Sequence, residues 1–273
     1  MIIPFTKMHG LGNDFIVING IANPLPDPAR FAKMYCDRHF GIGADQLLIV
    51  ESSAEAQFKM RIFNADGSEV EMCGNGIRCL ARFILEQGLS PDKKLSVETM
   101  AGVMYPQIHD ELVTVNMGKP RLVPADIPVS MDGESVINRK VEFLDTVLGI
   151  TMVSMGNPHC IVFLDNPDQY DITVFGPVIE RSSLFPNRTN VEFVTVIDDK
   201  TIDVKVWERG CGLTLACGTG ACASAVASCL NNKTQRSVTV ILPGGKLFIE
   251  WGDDDTVFMT GPAEKVFDGT VII

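Results

Sequence analysis

Apolar and polar side chains alternate along much of the chain, and strands dominate the reading. Phe58-Lys59-Met60-Arg61-Ile62-Phe63 places apolar groups at nearly every second position, as does Ile202-Asp203-Val204-Lys205-Val206-Trp207. A period of two belongs to a strand with one covered face. Further strands are predicted at 15–18, 47–50, 95–98, 113–117, 160–164, 191–196, 238–242 and 247–251, with turns at Asp132-Gly133 and Pro243-Gly244-Gly245. Two stretches keep helical spacing instead. Ile77, Leu80, Ala81, Ile84 and Leu85 line one helix that stops at Gly88. Residues 221–230 are small or apolar on every side, and a helix without a polar face is buried. One buried helix among strands in each half predicts a barrel-like wrap of sheet around helix. Residues 120–133, rich in Pro and Asp, read as the crossing between the halves.

The pattern is duplicated. Cys73-Gly74-Asn75-Gly76 and Cys217-Gly218-Thr219-Gly220 lie 144 positions apart (217 − 73). At that offset Gly12-Asn13 maps onto Gly156-Asn157, Gln46 onto Asn190, and Phe63-Asn64 onto Trp207-Glu208. At an offset of 143, Gly102 maps onto Gly245 and Gly118 onto Gly261. An ordered series of matches identifies two diverged copies of one unit. Expected boundaries are 1–118 and 119–262.

Composition narrows the possibilities. The chain has 273 residues, of which 46% are hydrophobic, and a net charge of −11. No apolar run reaches the ~18 to 20 residues that span a bilayer. No basic stripe is present to bind nucleic acid or an anionic membrane surface. The N-terminus lacks the basic-then-apolar pattern of a signal peptide. Eight cysteines in a chain this long read as thiols of a reducing cytoplasm, not as a disulfide framework.

The paired loops suggest the chemistry. A helix N-terminus presents unpaired N–H groups and the positive end of a dipole, and Gly lets a ligand approach the backbone. Gly74, Asn75, Gly218 and Thr219 can therefore hold an anion, and the same field favours the thiolate of Cys73 or Cys217. A carboxylate held between the two helix ends would put its α-carbon between two sulfurs. One thiolate would remove a proton and the opposite thiol would return one, which is racemisation or epimerisation without a cofactor. Taken singly, a Cys before Gly is most often inert packing, and one such loop could equally be a phosphate nest. Zinc held by Cys73, Cys79, Cys217 and Cys222 is disfavoured by spacings of six and five. Glu208-Arg209 follows a strand and could bind the two ends of an amino acid, with Asn64 as the repeat partner of Glu208. His159, in a Gly-Asn-Pro turn, and Glu208 could set which thiol is ionised. A structural His and a surface carboxylate remain the alternatives.

Five segments carry a family resemblance: Lys7 to Phe15, Phe63 to Glu69, Met72 to Cys79, Met155 to His159, and Ala216 to Gly220. Together the chain resembles diaminopimelate epimerase, from its N-terminus to Thr260-Gly261-Pro262-Ala263. The resemblance implies an α/β (α+β) protein of two pseudo-symmetric domains, each a β-barrel-like sheet around a central helix, the first completed by a C-terminal tail, 263–273, and a cytoplasmic homodimer without cofactor or metal. It implies that LL-2,6-diaminopimelate becomes the meso isomer, a precursor for lysine and peptidoglycan. Cys73 and Cys217 would be the two bases, with His159 and Glu208 tuning them. Asn13, Gln46, Asn64, Gly74, Asn75, Asn157, Asn190, Glu208, Arg209, Gly218 and Thr219 would bind substrate. The chain departs from the family pattern at Leu213 and Leu215, where many members carry Glu and Gln, and at Phe267, where some carry a Tyr at the dimer contact. Another two-cysteine amino acid racemase, or a non-catalytic binding relative, is the competing reading.

Overall fold

The computed structural model describes residues 1–273 apart from the side chain of Asp168. Two compact units form: residues 1–116 with 260–273, and residues 117–259.

In the first unit the strands are β1 (Ile2–Gly10), β2 (Asn13–Asn19), β3 (Gln46–Glu51), β4 (Phe58–Asn64), β5 (Glu69–Val70), β6 (Val97–Thr99), β7 (Gly102–Met104), β8 (Gln107–His109) and β9 (Leu112–Asn116). Its helices are α1 (Pro28–Tyr35) and α2 (Gly74–Glu86). The second unit contains β10 (Arg139–Phe143), β11 (Thr146–Ser154), β12 (Pro158–Phe163), β13 (Asn190–Asp198), β14 (Thr201–Glu208), β15 (Gly212–Thr214), β16 (Ser237–Leu242) and β17 (Gly245–Trp251), with α3 (Ile172–Glu180) and α4 (Gly218–Leu230). Strand β18 (Val257–Pro262) carries the chain back to the first unit, and β19 (Glu264–Ile272) follows it there.

The repeat holds at the level of strand register. β2 runs parallel to β3 with Phe15 opposite Gln46, and β12 parallel to β13 with His159 opposite Asn190. β4 pairs with β6 through Phe58 and Val97, and β14 with β16 through Ile202 and Val240. Register in a sheet buried on one face is fixed, because a slip of one residue would turn every side chain to the wrong face. One strand breaks the symmetry of sequence order. β10 flanks β11 from just upstream, whereas β1 is flanked by β19 from the far end of the chain, Ile2 opposite Ile272 and Phe5 opposite Gly269.

Each unit buries one helix against its strands. α2 packs on β1 to β4 and on the β8–β9 hairpin, and α4 on β11 to β14, β16 and β17. The small side chains of α4, from Gly218 to Ser228, are buried almost throughout, which lets strands approach it from all sides. α2 ends as expected: Gly88 takes φ +64 and its N–H returns to Leu85 O. Residues 120–133 depart from the linker reading. Ile127 and Val129 are buried in the core of the second unit, and Arg121 pairs with Ser154. Their Pro and Asp residues shape a packed surface segment, which composition alone does not distinguish from a connector. Helices α1 and α3 were not expected. α1 is short, and α3 contains Pro177, so neither carries a long periodic stripe. Among the described residues, no helix is long and apolar enough to cross a membrane.

Candidate active site

Both central helices start on cysteine. Cys73 (φ −137, ψ 119) and Cys217 (φ −123, ψ 112) are extended N-cap residues. Each sulfur accepts an N–H three residues on, Gly76 or Gly220, at 3.4 Å. A side-chain acceptor at this position satisfies one of the open donors of the first turn. In both units the thiol occupies the place usually held by Ser, Thr or Asp.

In the first unit Cys73 Sγ also donates to Asn13 Oδ1 (3.6 Å), which accepts Asn75 Nδ2 as well (3.3 Å). Asn13 is itself anchored: its Nδ2 donates to Asp45 Oδ2 at 2.9 Å. Arg38 bridges Asp45 (2.6 Å) and Asp14 (2.7 Å), and Asp14 also receives Lys7 Nζ at 2.6 Å. Burial pulls the Asp14 carboxyl upward, but the Arg38 and Lys7 hydrogen bonds overcome it and hold the group well below the usual carboxylate range. Beneath the loop, the fully buried Arg78 donates to Gly74 O (3.2 Å), Asn75 Oδ1 (3.0 Å) and Pro262 O (3.2 Å). Gln46 and Asn64 face each other across β3 and β4, Gln46 Nε2 donating to Asn64 Oδ1 at 2.9 Å.

In the second unit Cys217 Sγ lies 3.5 Å from Thr219 Oγ1, which accepts Asn157 Nδ2 at 3.3 Å. Asn157 Oδ1 is hydrogen-bonded to His159 Nε2 (3.0 Å), and His159 Nδ1 to Glu192 Oε1 (2.7 Å). Buried Asn190 donates to Pro158 O (2.9 Å) and accepts the Arg209 N–H (3.0 Å), which pins the end of β14. Glu208 accepts the Thr214 hydroxyl at 2.7 Å, and the exposed Arg209 side chain reaches Asn187 O at 3.2 Å. The turn after Arg209 is held from α3: Glu180, only 2% exposed, accepts Gly210 N–H (3.0 Å) and Trp207 Nε1 (2.9 Å). Burial pushes the Cys217 thiol well above its ordinary value, reinforced by Glu208 and then Glu192, against the Thr219 and Gly220 hydrogen bonds. A helix end is worth about 0.3–1 kcal/mol, whereas full burial can move a group by up to 3–5 pKa units, so desolvation wins. The expectation that the helix end favours thiolate therefore does not describe Cys217.

The structure thus joins Asn13, Cys73, Gly74 and Asn75 in one unit, and Asn157, His159, Cys217, Gly218 and Thr219 in the other. Sequence reading missed Asp45, Arg78, Glu180 and Glu192. Glu192 had a signal: it is a carboxylate inside Val191-Glu192-Phe193-Val194, where the other copy has Leu47-Leu48-Ile49. Among the described residues, no group of three or more His, Cys, Asp or Glu is arranged to hold a metal ion.

The fold is shared with solved proteins of low sequence identity. A phenazine biosynthesis protein of the PhzF family from Bacillus anthracis superposes with a TM-score of 0.73 at 19% identity, covering 100% of both chains. A probable proline racemase from Agrobacterium radiobacter gives 0.71 at 15% identity, covering 99% of this chain and 93% of the other. Sequence narrows this set. Residues 5–123 and 151–266 match the profile of the family described as Diaminopimelate epimerase. Diaminopimelate epimerase of Desulforudis audaxviator is 51% identical, covering 97% of this chain and 98% of the relative, and that of Desulfitobacterium hafniense is 49% identical, covering 97% of each. The chain belongs to the diaminopimelate epimerase family.

Proposed function

We propose that the protein epimerises LL-2,6-diaminopimelate to the meso isomer without a cofactor, using Cys73 and Cys217 as the two bases. The observation that carries this is the duplicated N-cap cysteine, with the same backbone geometry and the same 3.4 Å N–H contact in each unit. In the forward direction the Cys73 thiolate takes the α-proton and becomes a thiol, leaving the electron pair on carbon. The Cys217 S–H bond then breaks toward the opposite face of that carbon, and its sulfur is left as thiolate. The N–H groups at Gly74, Asn75, Gly218 and Thr219 stabilise charge that spreads into the adjacent carboxylate. Burial keeps Cys217 protonated before the step, as a proton donor in this direction must be.

Asn13, Gln46, Asn64, Asn157, Asn190, Glu208 and Arg209 bind the remainder of the substrate, with Arg209 on the distal carboxylate. His159 and Glu208 tune the thiols. The protein acts in the cytoplasm as a homodimer, its product feeding lysine or peptidoglycan precursors. Val266 and Phe267, about half exposed on β19, offer apolar area for the dimer contact. The test is incubation with LL-diaminopimelate in deuterium oxide, followed by mass and chiral analysis. Formation of meso product carrying one solvent deuteron at the inverted α-carbon is expected. Turnover of proline or histidine without diaminopimelate would select the other racemase reading, and binding without exchange would select a non-catalytic relative.

A further inference from the structure

Beneath the first turns of α2 and α4 the two copies differ in chemistry at one place. A methyl group added at Gly76 would lie 3.3 Å from Leu48 Cδ2 and 3.5 Å from Phe15 Cε1. A methyl group added at Gly220 would lie 2.7 Å from Glu192 Oε1 and 3.3 Å from Cys217 Sγ. Shifted by 144, Leu48 and Phe15 become Glu192 and His159. An apolar pair in the first unit is a carboxylate and an imidazole in the second, 2.7 Å apart and fully buried.

Packing does not require this exchange. The first unit fills the same layer with hydrocarbon, while burying a polar pair is costly. Glu192 Oε2 has no hydrogen-bond partner among the described residues, which adds to that cost. The pair also leads to the reactive sulfur. Glu192 meets His159 at 2.7 Å, His159 meets Asn157 at 3.0 Å, Asn157 meets Thr219 at 3.3 Å, and Thr219 meets Cys217 Sγ at 3.5 Å. Gly220 has no side chain, so the carboxylate oxygen and the sulfur border the same small space.

We infer that Glu192 is a positioning residue for Cys217, making the two thiols chemically unequal. Through His159 and Asn157 it fixes the Thr219 hydroxyl against the sulfur, and its carboxylate sits where the first unit has only hydrocarbon. The ionisable groups facing Cys217 are Glu208 on β14 and Glu192 on β13, with His159 on β12 behind Glu192. On the helix itself the sulfur meets the Thr219 hydroxyl and the Gly220 N–H. A carboxylate beside the sulfur opposes the thiolate, so it keeps Cys217 in the protonated form that a donor to carbon must start from. The inference rests on the epimerase reading for its effect on turnover, but not for its effect on the thiol.

The test follows both. Protein labelled with carbon-13 at cysteine Cβ is titrated without substrate, the Cys73 and Cys217 signals being assigned from serine variants. Glu192→Gln, nearly the same shape, is compared with the double variant His159→Phe/Glu192→Leu, which rebuilds the pair of the first unit. In both, the Cys217 midpoint is expected to fall by about one pH unit while Cys73 moves by less than about 0.3. With LL-diaminopimelate, kcat is expected to fall at least ~10-fold and KM to change less than ~3-fold. The double variant should melt within about 5 °C of wild type. An unchanged Cys217 midpoint, or equal movement of both thiols, would overturn the inference. So would a double variant that does not fold, since the pair would then serve packing. Wild-type protein inert toward diaminopimelate would refute the epimerase reading, while the titration would still decide the role of Glu192.

Discussion

At the residue scale, sulfur stands where an oxygen-bearing cap is usual, and this ties helix initiation to chemistry. Cys73→Ala and Cys217→Ala are each expected to abolish epimerisation, measured by chiral analysis, and serine at either position to leave at most a trace. A hydroxyl still caps the helix, but it is a far weaker acid than a thiol at neutral pH. Cys229→Ala, near the other end of α4, should retain substantial activity and so controls for general cysteine loss. At Arg209, Lys keeps the charge but not the planar fork that grips a carboxylate. Arg209→Lys is expected to lose at least ~10-fold in kcat/KM, about 1.4 kcal/mol. Unchanged steady-state kinetics would remove Arg209 from the site.

At the element scale, the starts of α2 and α4 look alike in sequence but tolerate change differently. Gly to Ala inside a helix is ordinarily favourable by up to about 1 kcal/mol. At Gly220 the new methyl group would meet Glu192 Oε1 at 2.7 Å, whereas at Gly76 the nearest atoms are at 3.3 Å. Gly220→Ala is therefore expected to lower the melting temperature clearly more than Gly76→Ala, as read by calorimetry. Helix α3 supports the turn that carries Arg209. Glu180→Ala removes the acceptor of two part-buried hydrogen bonds, from Gly210 N–H and Trp207 Nε1, each worth about 0.5–1.5 kcal/mol. A rise in KM for diaminopimelate together with a lower melting temperature is expected, because Arg209 adjoins the loosened turn.

At the scale of the whole molecule, the chain ends are structural partners. β19 covers the outer edge of β1, and Met1 and Ile273 are hydrogen-bonded at both main-chain ends. Removing residues 264–273 would expose β1 as an unpaired edge and strip cover from Phe5, which packs edge-on to Phe267 at 6.0 Å. The truncated protein is expected to melt earlier and to scatter light on warming. A melt and scattering profile matching the full chain would show that β19 is dispensable.

The duplication was legible because both copies keep Cys-Gly-x-Gly, the Asn partners and the strand alternation at one offset, and because α4 has no polar face. Its consequence in space, residues 144 apart sharing equivalent strand registers, follows from that pattern. The sequence by itself determined the two helices, most of the strands and the pairing of Cys73 with Cys217 as equivalents. Tertiary structure alone decided three things. It set how β19 pairs with β1, Ile2 opposite Ile272 and Phe5 opposite Gly269, a register with no local signature in the sequence. It placed Ile127 and Val129 in a core, though their segment is composed like a linker. It also put Cys217 deep enough, beside Glu208 and Glu192, for desolvation to outweigh the helix end. Local pattern reports which face a residue prefers, but charge balance at a buried sulfur depends on groups that only the fold assembles.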